Sequence, residues 1–251
     1  AKNNRPDRAT RRRSAASQLS RFFRRQPAPP TLGGMFRRLS SAFFVGPDIS
    51  GDIAHQAGVV RNTFGFNGAG VKIGVMSDGV ESLAAEQAAG RLPAVNVLDA
   101  GFGDEGTAML EIVYTLAPGA SLYYATALSS RASMAANIQA LADAGCNIIV
   151  DDIGYLGEGV YQADVLTQKV NQVAAAGVFY FSAAGNQGNL ASGASGTWEG
   201  DFVDSQTTLA ALPKSGTIHS FGGVNHNTLT KASDNSFYVL TWSDPLGHAS
   251  N

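Results

Sequence analysis

The sequence predicts an α/β fold: a parallel sheet with helices on both faces, followed by a partial antiparallel β unit at the C-terminal end. Three observations carry this reading. Between Val71 and Ala183, short apolar runs alternate with longer amphipathic stretches, the pattern of parallel β/α units whose strands are covered on both sides. Pro118-Gly119, Gly145 and Gly177 close successive helical stretches, as helix stop signals do. Beyond Asn189 the helical period disappears, and short segments are separated by Gly, Pro, Asn and Asp.

Taken in order, Val71 to Met76 is a mostly apolar strand that runs into the loop Ser77-Asp78-Gly79. Ser82 to Ala89, rich in Ala and Glu, is helical, and Val95 to Leu98 is a second strand. Thr107 to Leu116 is a helix, Ser121 to Ala127 a strand, Ala132 to Ala144 a helix and Asn147 to Val150 a strand. Tyr161 to Ala175 is a helix, and Val178 to Ala183 the fifth strand. The short segments Thr207 to Leu212, Thr217 to Phe221 and Phe237 to Trp242 read as an antiparallel unit whose last member lacks a following partner. In parallel α/β sheets chemistry sits beyond the carboxyl ends of the strands. Asp78, Asp151, Asp152 and Asn186 fall there.

Composition divides the chain of 251 residues further. The formal net charge of −2 conceals an asymmetry: residues 1–40 hold eleven Lys and Arg against the single acid Asp7, and the remainder is strongly acidic. Residues 1–50 read as a basic, poorly ordered leader, 51–195 as the α/β core and 196–251 as the partial β unit. Clustered Arg attracts phosphate without sequence preference, but a propeptide, tether or targeting remnant is the simpler reading of the leader, and no nucleic-acid partner is expected. The chain begins with Ala rather than Met, which leaves room for an upstream signal peptide. Cys146, the single cysteine, sits in an apolar stretch and reads as a small buried hydrophobe. No apolar run approaches the roughly 18 residues of a membrane span. His55, His219, His226 and His248 have no catalytic or metal-binding spacing, and surface or loop roles are expected for them.

Four segments carry chemistry. Gly70 to Val80 is a hydrophobic strand delivering Asp78 just before Gly79; Glu105-Gly106-Thr107 opens a helix; Leu116-Ala117-Pro118-Gly119-Ala120 is the turn after it; and Ser182 to Gly188 contains Ala183-Ala184-Gly185-Asn186. In this order and spacing they resemble the front half of the subtilisin/sedolisin clan of serine peptidases. The resemblance implies a three-layer subtilisin-like sheet and endopeptidase hydrolysis through a serine acyl-enzyme. It also implies a polypeptide substrate, no cofactor (a calcium site is left open) and a secreted or periplasmic location. It implies Asn186 as oxyanion donor, and Asp152-Ile153-Gly154 as the segment along which substrate lies, with Asp152 and Gly154 in contact with it. Asp151 and Asp152 have a second reading, as cation ligands or loop caps.

Two departures matter. Ser77 stands where the family's first acid usually ends the strand, and Asp78 follows it; Glu105 stands where subtilisins keep His, as in sedolisins, while the helical Asp of sedolisins is replaced by Met109. An isolated Glu, with a pKa near about 4.3, is a weak base toward a hydroxyl at neutral pH. A second carboxyl beside it would let the two share a proton. Asp78 is the expected partner of Glu105 and Asp104 the fallback, with an acidic optimum. No Gly-Thr-Ser segment occurs, so the nucleophile is expected beyond Asn251, and this chain alone should not hydrolyse peptides. Two alternatives stand beside this reading. One is a non-catalytic peptide-binding relative. The other is a nucleotide-binding domain using Gly101-Phe102-Gly103-Asp104-Glu105-Gly106, although two acids would then lie in a loop meant for pyrophosphate.

Overall fold

Side chains alternate between the faces of a strand, and β1 (Lys72–Ser77) uses both: Ile73 and Val75 turn to one face, Met76 to the other. The computed structural model describes residues 50–186, 188–193, 195–211, 216–228 and 238–244, all within one compact unit. The basic leader up to residue 49 lies outside the described residues, as does His248.

Around β1 lie β2 (Val95–Asp99), β3 (Ser121–Thr126), β4 (Ile148–Asp151) and β5 (Phe179–Ser182), in the order β2-β3-β1-β4-β5 with every pair parallel. The helices are α1 (Ser50–Ala54), α2 (Ala57–Phe64), α3 (Leu83–Ala88), α4 (Glu105–Leu116), α5 (Arg131–Asp143) and α6 (Val165–Ala175). The architecture is therefore the expected α/β class, with helices on both faces of a parallel sheet. None of the helices among the described residues is long and apolar enough to cross a membrane.

Two cores, one per face, hold the layers together. Met76, Ala125 and Ile149 meet Met134, Ile138 and Leu141 of α5 and Leu166 and Val173 of α6. Cys146 joins that core, where burial pushes its thiol pKa up to about 11. On the opposite face Ile73, Val75, Leu122 and Tyr124 meet Leu83 of α3 and Leu110 of α4. This division fixes the hand of each crossover. The steps β2→β3, β3→β4 and β4→β5 all run the same way across the sheet, yet α4 lies on the face opposite α5 and α6. The β2–α4–β3 crossover thus has the opposite hand to its successors. Parallel crossovers are right-handed in about 98% of cases, so α4 is the left-handed exception. It covers β1 and β3 but not the edge strand: Phe179 and Phe181 of β5 remain 66% and 58% exposed.

Differences from the expected elements have local causes. α6 starts at Val165 rather than Tyr161 because Asp164 is its N-cap, its carboxylate accepting from Leu166 N at 2.9 Å and Thr167 N at 3.1 Å. Four residues before, Tyr161 is exposed in the loop. α1 and α2 were not expected. Arg61 of α2 bonds the Thr115 and Leu116 carbonyls at the end of α4, at 3.1 and 3.0 Å, and pairs with Asp52 at 2.6 Å. A guanidinium on terminal carbonyls complements the negative end of the helix. The C-terminal unit pairs β6 (Asp204–Thr208) with β7 (Thr217–His219), antiparallel as expected, but β6 starts three residues before the expected Thr207 and ends at Thr208, and residue 212 lies outside the described residues. The third expected segment is not a strand over 238–242, and Phe237 lies outside the described residues. His219 does not fit a bare surface role: its Nδ1 accepts from Val203 N at 2.9 Å, and its ring packs among Trp198, Phe202 and Phe221.

Asp164 also pairs with Arg131 of α5 at 3.1 Å while its own side chain is 4% exposed. Asp164→Ala removes a cap and the carboxylate paired with Arg131, whose guanidinium keeps the Gly157 carbonyl. A stability loss of about 1–2 kcal/mol is expected in denaturant unfolding, whereas Asp164→Asn, which keeps the cap oxygen, should lose less.

Candidate active site at the carboxyl rim of the sheet

The first turn of a helix leaves backbone N–H groups without partners. At α4 that need is met from another element. Asp78, one residue past β1, accepts from Gly106 N at 3.2 Å and from Gly79 N at 2.5 Å through the same oxygen, Oδ1. Glycine makes the approach feasible. A Cβ at Gly103 would stand 2.1 Å from Asp78 Oδ2, one at Gly101 2.1 Å from the Asp78 carbonyl, and one at Gly106 2.5 Å from the Tyr124 ring. Gly101 and Gly103 also hold φ of 65° and 103°, conformations that cost glycine little. The G-x-G-x-x-G segment therefore wraps a carboxylate of its own chain, at the place where a nucleotide phosphate would have to sit.

Met76 pairs with Asp151 across β1 and β4, so the next residues, Ser77 and Asp152, lie opposite one another. By alternation both face the side that α4 covers. Ser77 and Tyr124 are fully buried. Ser77 Oγ, Tyr124 Oη and Asp152 Oδ1 are all buried without a hydrogen bond of normal geometry. The Ser77 hydroxyl nonetheless lies close enough to act on Asp152, favouring its anion, while burial acts more strongly and raises the Asp152 pKa. Burial, Asp78 and Asp152 together push the Tyr124 hydroxyl pKa upward.

Glu105 opens α4 and is exposed at the mouth of this cluster. Its pKa is raised first by the charge of Asp152, then by desolvation, then by the charge of Asp78. The structure thus brings together Asp78, Glu105 and Asp152. Asp152 raises the Glu105 pKa more than Asp78 does, and Asp78 accepts from the backbone at the start of α4. Asp104, the fallback, turns away. It accepts from Ser82 N at 2.8 Å, and Ser82 is the main cause of its lowered pKa. Asp151 faces the opposite side, buried, where it accepts from Ser182 Oγ at 2.8 Å. It is a clamp on β5. Among the described residues, no group of three or more His, Cys, Asp or Glu is arranged to hold a metal ion.

Asn186 is exposed in the loop after β5, behind Gly185 at φ 80°, and so on the same rim. Gly154 follows β4; a Cβ there would meet nothing within 4 Å, so internal packing does not demand glycine. Between these two loops opens a cavity of about 630 Å³, lined by Leu156, Glu158, Val160, Ala184 and Val239 among others. Ser77 and Tyr124 were not among the sequence candidates. Their only signal was the strand alternation that sets Ser77 opposite Asp152, and it needed the β1–β4 pairing to be read.

Compared with protein-family models and with curated proteins, the chain matches none.

The glycine cradle makes a direct prediction. Gly103→Ala should cost about 1–3 kcal/mol from backbone strain alone, and more from the collision with Asp78. Gly154→Ala, in open space, should stay within about 0.5 kcal/mol of the parent. Paired urea titrations measure both.

Proposed function

We propose that this chain forms the front half of a serine-type endopeptidase site, with Glu105 as general base and Asn186 as oxyanion donor. The observation that carries it is the gathering of Glu105, Asp78 and Asp152 at the carboxyl rim of one parallel sheet, the rim that also bears Asn186 and Gly154. The likeness to subtilisins and sedolisins in four ordered segments supports the same reading. The loop that rivals it, Gly101 to Gly106, has its helix N-terminus filled by Asp78, which weighs against a pyrophosphate there.

In this reading an extended peptide lies along 152–154 with one side chain in the cavity between the loops after β4 and β5. A serine hydroxyl, supplied by a segment absent from these 251 residues, attacks the scissile carbonyl. Its proton passes to Glu105 as the new C–O bond forms. The carbonyl oxygen becomes an anion and accepts from the Asn186 side-chain amide, a contact worth about 10²–10³ in rate. The proton then goes to the departing amine as the C–N bond breaks, and water repeats the sequence to free the acyl-enzyme. The resemblance supports a secreted or periplasmic setting for such a reaction.

The test uses the natural protein with whatever sequence flanks these residues. Hydrolysis of extended peptides with an acidic optimum is expected, with kcat/KM reduced about 10²–10⁴-fold by Glu105→Gln. The 251-residue chain alone should bind such peptides, with NMR shifts at 152–154 and 183–186, yet turn none over. A neutral optimum indifferent to Glu105→Gln overturns the proposal. Binding without turnover by the natural protein leaves a peptide-binding module instead.

A further inference from the structure

An aromatic face is negative and attracts a cation, and a carboxylate beside it adds to the pull. The C-terminal unit has both, and the peptidase reading uses neither. Trp198 is the face. Its ring centroid lies 5.0 Å from that of Phe221, at 63°, and 5.2 Å from that of His219, at 60°. It sits so close to Gly200 that a Cβ there would stand 2.8 Å from Cζ2 and 2.9 Å from Cη2. Fixed by these neighbours, Trp198 is still 53% exposed. His219 walls it on one side. Its Nδ1 accepts from Val203 N at 2.9 Å, and an imidazole that accepts there carries its proton on Nε2. That nitrogen is buried without a hydrogen-bond partner, so the ring offers a ligand no acceptor.

These rings line a cavity of about 400 Å³ together with Asp201, Val203, Ser220 and Asn227. The Ser220 hydroxyl is engaged, accepting from Gly223 N at 3.2 Å. The side chains of Asp201 and Asn227 bond to none of the described residues. Charge around them is one-sided. From Ser195 on, the sequence holds Glu199, Asp201, Asp204, Asp234 and Asp244 against Lys214 and Lys231. A ligand suited to this cavity therefore presents a flat face, hydrogen-bond donors and a positive charge. A sugar has a face for the indole but leaves the carboxylate charge unmatched. A guanidinium has all three.

We propose that this cavity holds an arginine side chain of a polypeptide partner. The guanidinium stacks on Trp198, donates to the Asp201 carboxylate and donates again to the Asn227 side-chain oxygen. The cavity has room for more than the guanidinium, and the exposed Val203 gives the aliphatic stem an apolar wall. Each attraction is modest: a cation–π contact at a half-exposed ring and an ion pair open to water. A single arginine therefore binds with a Kd in the millimolar range. The site uses none of the residues assigned to hydrolysis, so it stands independently of the peptidase reading.

The experiment is an NMR titration of the 251-residue chain, read at the Trp198 indole N–H and the Asn227 side-chain amide. The probe is the blocked tripeptide acetyl-Ala-Arg-Ala-amide, which should shift both signals, less so as salt is raised. Its citrulline counterpart, alike in shape but uncharged, should bind at least about tenfold more weakly. Asp201→Asn, an exposed and nearly isosteric change, should weaken arginine binding about 3–10-fold. Trp198→Ala should weaken it about 3–30-fold. Gly200→Ala, which displaces the indole without deleting it, should also weaken binding while the β6–β7 amide signals stay in place, separating loss of the platform from loss of the unit. Equal binding of the citrulline peptide, no response to the arginine peptide, or binding unmoved by both Asp201→Asn and Gly200→Ala overturns the proposal. Methyl β-glucoside binding where the arginine peptide does not assigns the cavity to carbohydrate and overturns it too. Agmatine binding as tightly as the peptide overturns the polypeptide source.

Discussion

The candidate site depends on one contact, the Asp78 carboxylate set into the first turn of α4. A helix N-terminus carries roughly half a positive charge, and here an anion from a different element fills it. That bond fixes where α4 begins, and so where Glu105 stands. It is feasible only because the chain passing over Asp78 lacks side chains at Gly101, Gly103 and Gly106. Arg61 secures the other end of the same helix through the Thr115 and Leu116 carbonyls. α4 is thus pinned at both termini by charges that complement its dipole. A left-handed crossover, unfavourable by default, would need such fastenings.

The hand of that crossover has a functional consequence. A right-handed β2–α4–β3 unit would place α4 on the face occupied by α5 and α6. Its first turn would then lie on the side of Asp151. On the observed face it lies on the side of Ser77 and Asp152. Because side chains alternate, exchanging faces would exchange which carboxylate of the Asp151-Asp152 pair meets the helix. Parity alone makes Asp151 a strand clamp and turns Asp152 to the face that α4 covers.

The parallel core was legible because its signals are local. Strand and helix alternation depends on side chains within one segment, and the boundaries of β1 to β5 lie within a residue of those expected. α6 was misplaced because Tyr161 continues an apolar rhythm that the Asp164 cap overrides. α1 and α2 were missed because their fastening, Arg61 on α4, is a contact between distant segments. In the site, Asp78, Glu105 and Asp152 were all marked. That Asp152 faces Ser77 follows from β4 lying beside β1, and strand order is not written in any one segment. Ser77 read as a gap where an acid was expected; in three dimensions it is the hydroxyl that faces the acid.

Three carboxyl groups meeting without a cation have a thermodynamic signature. For Glu105 and Asp152 the native pKa lies above the unfolded value, so the native state binds more protons than the unfolded chain. Stability must then fall as pH rises through that interval, and this part of the loss is absent below the unfolded pKa values. Asp104 has the opposite sign: its lowered pKa contributes stability above the unfolded value that is lost on acidification. The helix start therefore combines a stabilising anion turned toward Ser82 with a repelling pair turned toward the rim. A fold gains nothing in stability from the second arrangement. Its place beside the Asp78 anchor fits the general expectation that a site departing from local rules does so for chemistry, and it is at this helix start that the proposed base, Glu105, stands.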